Sequence, residues 1–172
     1  MAVISHGLEG SSKNRDIRGL SAALNKAGWD TLAWNFRGCS GELNRCLRFY
    51  HSGETGDLSA VLSHAAGSYS SLALVGFSLG GNMILKYLGE GNVHPFVHAA
   101  VAISAPVDLA SSARALDRRP GNQIYLRRFM KSLAAKVEAK AKRFPTEIDA
   151  TGVRDVRSFS IFDDRYTARI HG

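Results

Sequence analysis

Cysteine is scarce in this chain: Cys39 and Cys46 are the only two among 172 residues. With no further Cys or His at metal-ligand spacing, they exclude a disulfide framework and a zinc-finger pattern. Long hydrophobic runs are missing too. The longest weakly polar stretch, around Val97 to Val107, is about half of the ~20 residues that a membrane span requires. The opening residues lack a basic n-region and an apolar stretch of signal-peptide length. Proline is limited to four residues, and no repeat or low-complexity tract occurs, so collagenous and disordered classes drop out. What remains is ordinary globular composition, 45% hydrophobic and 22% charged, in a chain long enough for one domain with a real core and too short for two. A reduced, cytoplasmic protein is expected.

Acidic residues are absent from one region in particular. Arg114 to Arg143 holds ten basic residues against Asp117 and Glu138 alone, a surplus of eight, so the rest of the chain sums to −1 in a total of +7. The basicity therefore belongs to one segment.

Hydrophobic periodicity gives an alternating pattern. Ala2–Ser5 reads as a short strand ending in a Gly/Ser loop. Asn14–Ala27 has helical spacing, with Ile17, Leu20, Ala23 and Leu24 on one face and Gly28 as its stop. Trp29–Phe36 reads as a second strand, and a second helix runs from Thr55 to about Ala66. Leu72–Phe77 is an unbroken apolar strand of the kind buried on both faces. Leu79–Leu88 is helical, with Met83, Ile84, Tyr87 and Leu88 inward, and Val97–Ser104 is a fourth strand stopped at Pro106. Strands alternating with helices imply βαβ units and a parallel sheet. From Asp108 to Phe144 the chain reads as mostly helical, with an apolar stripe through Leu126, Phe129, Met130, Leu133 and Val137. Ser158–Phe162 reads as a short strand or an extended loop. The division expected is an α/β core over 1–107, a helical cap over 108–157 and a return segment over 158–172.

The strongest chemical signal is Gly76-Phe77-Ser78-Leu79-Gly80, followed by Gly81. It matches the G-x-S-x-G nucleophile elbow, in which a sharp strand-to-helix turn thrusts a serine out of the sheet. Glycines flank the serine because side chains there would collide with the neighbouring strand and helix. The pentapeptide falls between a buried strand and a helix, where that mechanism needs it. The second piece is His6-Gly7-Leu8-Glu9-Gly10 at the end of the first strand. In such hydrolases this loop supplies one backbone N–H of the oxyanion hole and the residue after the nucleophile supplies the other, which assigns Leu8 and Leu79. His6 is expected to staple the loop, not to carry protons. Cys39 is expected to be a small buried residue, and Tyr50 and His51 to stabilise a loop.

Four ordered blocks carry a resemblance: His6 to Ser12, Asn35 to Glu42, Tyr50 to Gly53, and Gly76 to Asn82. Together they resemble the YheT-like subfamily of the α/β-hydrolase superfamily, akin to eukaryotic membrane-associated abhydrolases and yeast medium-chain ester synthases. The resemblance extends to Phe162-Asp163-Asp164 and His171-Gly172. It implies an α/β-hydrolase fold and hydrolysis or transfer of acyl groups from carboxylic esters or thioesters, with neither metal nor organic cofactor.

The same resemblance implies what is missing. Family members are longer, begin with extra strands, and carry the acid and base of the triad on later loops, in the order Ser…Asp…His. The chain accordingly reads as truncated at both ends. After Ser78 the candidate bases are His94, His98 and His171, and the candidate acid is Asp108, directly after the fourth strand; Asp163 and Asp164 read as structural. A serine without its histidine loses nearly the whole triad effect, on the order of 10⁶ in rate. Three functions follow: a serine esterase or acyltransferase present here as a poorly active chain, a non-catalytic binding or pseudoenzyme chain, and an enzyme using an unusual acid and base. The partners expected are a small acyl ester or thioester, an anionic membrane surface met by the basic cap, and a second copy paired through exposed sheet edges. The apolar stripe on the cap suggests a medium or long acyl chain. Nucleic acid fits poorly, because no aromatic interleaving or known fold accompanies the charge.

Overall fold

The computed structural model describes residues 1–171. It divides into two compact units: one formed by Met1–Ser40 with Tyr50–Val107, the other by Gly41–Phe49 with the chain from Asp108 onward.

The first unit is a βα sandwich around a parallel sheet. Its strands are β1 (Ala2–Ser5), β2 (Thr31–Ala33), β3 (Leu72–Phe77) and β4 (Val97–Ile103). All pair in parallel, in the order β2-β1-β3-β4. The connecting helices are α1 (Arg15–Lys26), α2 (Thr55–Ala66) and α3 (Leu79–Gly89). The fold is thus the parallel α/β arrangement expected.

Register explains why β3 is apolar throughout. Val3 pairs with Leu74 and Ile4 with Val75; the first pair joins the cluster of Trp34, Phe36, Leu58, Leu62, Met83, Ile84 and Tyr87, and the second joins Ile17 on the opposite face. With both faces covered, Leu72, Leu74, Val75 and Gly76 are buried and only Ala73 and Phe77 keep partial exposure. The α1 face is thinner: Ile17 is its one fully buried helical residue, and Ala23, expected inward, is exposed.

Strand β2 is shorter than the apolar run that suggested it. Just beyond it the Trp34 N–H still donates to the Ile4 carbonyl at 3.4 Å, whereas the Phe36 N–H donates to the His6 ring and the Asn35 side chain pairs with Ser12. Strand β4 lies at the edge of the sheet, and Ala99, Ala100, Val101 and Ala102 are exposed.

The second unit is helical: α4 (Leu109–Arg118), a 3₁₀ turn at Pro120–Asn122, α5 (Gln123–Arg143), then α6 (Phe159–Phe162), a π turn (Asp163–Thr167) and α7 (Ala168–His171). The strand or loop expected at 158–162 is a helix. Its signal was the spacing of Phe159, Phe162 and Tyr166, all buried on one side, and Ser158 caps it by accepting from the Ile161 N–H. Asp117 fixes that start, accepting from the Ser158 hydroxyl at 2.7 Å and the Phe159 N–H at 2.9 Å.

The apolar stripe of α5 is core: Leu126, Met130 and Val137 are buried. That removes it as a surface for an acyl chain. Lys140, fully buried, continues the same face. Its ammonium donates to the carbonyls of Asn44 and Cys46 and lies over the Phe49 and Phe144 rings. A buried cation is tolerated only when so engaged, and this one ties segment 41–49 to α5. Gly172, the last residue of the motif ending the chain, lies outside the described residues.

Candidate active site

A single residue, Ser78, separates β3 from α3. It is exposed, with φ 51° and ψ −116°. An L-residue pays strain there, on the order of 1–3 kcal/mol, and keeps that conformation only when its surroundings impose it. Two backbone bonds do so: the Ser78 N–H donates to the Ile103 carbonyl of β4 at 2.9 Å, and the Ser78 carbonyl accepts from the Asn82 N–H at 3.0 Å.

The flanking glycines make the turn possible. A β-carbon on Gly80 would lie 2.5 Å from the His6 carbonyl oxygen and 2.6 Å from that of Ser5. One on Gly81 would meet the Gly76 carbonyl oxygen at 2.9 Å. The expected collisions with strand and helix are therefore found, and α3 starts directly against the end of β1. Leu79 is the first residue of α3, so its N–H has no acceptor within the helix and points with the positive end of the helix dipole.

The loop after β1 passes beside Ser78. A β-carbon on Gly7 would lie 3.3 Å from the Ser78 Cβ and 3.8 Å from its Oγ, and Leu8 follows. The loop is held from several directions. The Gly10 N–H donates to the Gly7 carbonyl at 3.0 Å. Glu9 has φ 53°; its N–H donates to the Tyr50 hydroxyl at 2.8 Å, which in turn donates to its carboxylate at 2.7 Å. Burial, and then the Glu9 charge, push the Tyr50 phenol well above its ordinary pKa, so it remains a donor. Tyr50 is a loop staple.

His6 staples the same loop. Its Nε2 accepts from the Phe36 N–H at 3.2 Å, so the neutral ring carries its proton on Nδ1, which donates to the Gly7 carbonyl at 2.7 Å. Both nitrogens are engaged and the ring is buried. Arg37 makes a bidentate pair with Asp57, at 2.6 and 2.5 Å, joining the turn after β2 to α2. His51 accepts from the Gly53 N–H at 3.1 Å. Cys39 is buried, as expected.

The remaining candidates lie elsewhere. Leu72, at the start of β3, pairs with Val97 at the start of β4, so His94 and His98 sit at the end of the parallel strands opposite Ser78. At about 3.3 Å per residue, the run from Leu72 to Ser78 spans roughly 20 Å. His94 accepts from the Phe96 N–H at 3.3 Å. Asp108 caps α4, its carboxylate accepting from the Ser111 N–H at 2.9 Å; the Ser111 side chain first, and then this backbone bond, hold its pKa below the ordinary value. His171 is half-buried in α7 of the second unit. Asp163 accepts from the Thr167 hydroxyl at 2.8 Å within its own helix. Among the described residues no three His, Cys, Asp or Glu side chains converge as a metal site.

Two residues escaped sequence reasoning. Ser104, directly after β4, also has a left-handed φ of 51° and is exposed. Since Phe77 pairs with Ile103, the two strained serines end adjacent strands. Asn82, the last residue of the elbow block, donates its side-chain N–H to the Pro106 carbonyl at 2.9 Å, tying α3 to the loop after β4.

Comparison with known proteins converges on one fold family. The family described as "alpha/beta hydrolase fold" matches residues 3–158. The YheT protein of Escherichia coli (strain K12) is 41% identical over 99% of this chain and 51% of its own, as the four motif blocks suggested. Phospholipase ABHD3 of Mus musculus is 30% identical over 96% of this chain and 41% of its own. The chain thus spans about half the length of the curated relatives it matches. Among solved structures, the Pyrococcus furiosus esterase Pf2001 aligns with a TM-score of 0.59 at 21% identity, over 69% of this chain and 47% of that one.

Proposed function

The chain belongs to the alpha/beta hydrolase fold family, and from that premise we propose that it is a serine hydrolase of carboxylic esters with Ser78 as the nucleophile. The strained, exposed turn at Ser78 carries the reading: φ 51° in a serine between a buried strand and a helix has a cost that a structural turn would avoid by using glycine. The Ser78 Oγ would attack the ester carbonyl, forming an acyl-enzyme and releasing the alcohol or thiol. Water or a second acceptor would then take the acyl group, giving hydrolysis or acyl transfer. The N–H groups of Leu8 and Leu79 would hold the oxyanion, a contribution of a few kcal/mol for each donor. The names of two similar proteins, an esterase and a phospholipase, support carboxylic esters as the substrate class.

Activation of Ser78 is the weak point of this chain. The first unit offers His6, whose two nitrogens are occupied; His51, turned to its own loop; His64, exposed in the last turn of α2; and His94 and His98, at the far end of the sheet. We therefore propose low reactivity for Ser78 here, with oxyanion and binding effects leaving roughly 10³ over water. The non-catalytic reading rests on that same observation. Asp108 would serve as the acid only in a self-sufficient enzyme, the reading with an unusual acid and base, and its cap bond to Ser111 weighs against that role. Two partner claims accompany the proposal: pairing of copies at the sheet edge, and contact of the basic cap with an anionic membrane. A reduced, cytoplasmic setting belongs to the same proposal. Among the described residues, no helix is long and apolar enough to cross a membrane.

Labelling with a fluorophosphonate, read by intact mass, tests the reading. Slow labelling that disappears in Ser78→Ala supports it. Fast stoichiometric labelling overturns low reactivity and promotes the self-sufficient enzyme. No labelling at any time, with no turnover of a chromogenic acyl ester, leaves the non-catalytic chain.

A further inference from the structure

The surplus charge of the second unit is concentrated where α4 turns into α5. Arg118 and Arg119 close α4, and Arg127, Arg128 and Lys131 follow in the first turns of α5; all five are exposed. No acidic residue occurs between Arg118 and Val137. The acids that bracket this stretch are already engaged: Asp117 by Ser158 and Phe159, Glu138 by a bidentate pair with Arg154 at 2.6 and 2.7 Å.

Among these cations stand two apolar side chains turned to water: Ile124, 72% exposed, and Tyr125, 56% exposed. Single exposed apolar residues are common. Two adjacent ones with exposed cations on either side along the chain are less so. Their placement follows from helix geometry. Leu126, Met130 and Val137 turn one face of α5 into its core, and Ile124, Arg128 and Lys131, spaced four and three residues apart, share a stripe on the side away from it.

We propose that this corner is a docking surface for an anionic phospholipid bilayer, with Ile124 and Tyr125 entering the headgroup layer and the five cations meeting lipid phosphates. Charge complementarity argues for that occupant. Each cation near an anionic leaflet adds attraction that falls off within a Debye length. Long arginine and lysine stems let the charge stay at the phosphates while an apolar neighbour goes deeper, and tyrosine suits the interface because one end is apolar and the other polar. The proposal does not depend on Ser78.

Co-sedimentation of the full chain with phosphatidylcholine vesicles, with and without phosphatidylglycerol, tests it at low salt. Binding is expected only with the anionic lipid and is lost at 1 M salt, where screening shortens to about 3 Å. Arg127→Gln combined with Arg128→Gln should weaken partitioning by roughly fivefold per charge, and Ile124→Ser by about tenfold. Tyr125→Trp should shift its emission to the blue on binding. Ser78→Ala should bind as the parent chain does, which separates this result from the catalytic reading. No binding to anionic vesicles, or equal binding to neutral ones, overturns the proposal. So does binding that polyglutamate competes away while Ile124→Ser has no effect, since that pattern belongs to an acidic protein partner.

Discussion

Gly76 and Gly80 stand so close across the Ser78 turn that a β-carbon on Gly76 would lie 2.5 Å from the carbonyl carbon and oxygen of Gly80. The obstacle is backbone, not the end of a flexible side chain, so it cannot step aside. Gly76→Ala and Gly80→Ala should each cost about 2–3 kcal/mol or more. Gly19, inside α1 with nothing within 4 Å of its would-be β-carbon, is the control: Gly19→Ala should gain up to about 1 kcal/mol. Urea unfolding of the three variants checks the contrast, and equal effects would refute the steric account.

Strain at the two serines makes a second, opposite forecast. Ser78 and Ser104 both have φ 51°, where glycine carries little penalty. Ser78→Gly should therefore raise stability by about 1–3 kcal/mol while abolishing any labelling, and Ser104→Gly should raise it by about 1 kcal/mol. Ser78→Ala, which keeps the strain, should leave stability close to that of the parent. A destabilised Ser78→Gly in thermal unfolding would mean that the hydroxyl does structural work.

The Tyr50–Glu9 staple predicts an alkaline limit. The folded phenol is pushed above its ordinary value by burial first and then by Glu9, whereas an unfolded one ionises near pH 10. A raised folded pKa gives stability that is complete below the unfolded pKa and is lost as pH climbs from about 10 towards the folded value. Tyr50→Phe should flatten that alkaline decline. At neutral pH it should cost about 1–3 kcal/mol, because the Glu9 N–H loses its acceptor. Denaturant midpoints measured from pH 7 to 11 for both proteins decide it; parallel curves count against the staple.

Strand β4 predicts association. It lies at the edge of the sheet with Ala99 to Ala102 exposed, Val101 to 52%, and neither proline nor lysine interrupts it. Natural edges are usually blocked by such residues. Sedimentation across a concentration series should show dimers or larger species, and Val101→Lys should shift the distribution to monomer. A parent chain that is monodisperse and monomeric throughout would sink the forecast.

Much of this was legible in the sequence because local chemistry and chain order agree. The bounds of α2 and β3, the elbow around Ser78 and the burial of Met83, Ile84 and Tyr87 come from short-range periodicity and from glycines that only a sharp turn demands. The helix at Phe159 was hidden because α6 is only four residues long and a π turn separates it from α7. Spacing did mark Phe159, Phe162 and Tyr166, yet propensity over so short a stretch does not separate helix from strand.

The sequence by itself determined the fold family, the parallel sheet, the position of Ser78 between strand and helix, and the basic segment, since each depends on residues near one another in the chain. Tertiary structure alone decided the rest. It put Ser104 beside Ser78, because strand pairing brings together residues 26 positions apart. It turned Asp108 into a cap, set His94 and His98 at the wrong end of the sheet, and buried Lys140 against the carbonyls of Asn44 and Cys46. Which polar group meets which partner depends on three-dimensional proximity, and hydrophobic periodicity along the chain carries no record of it.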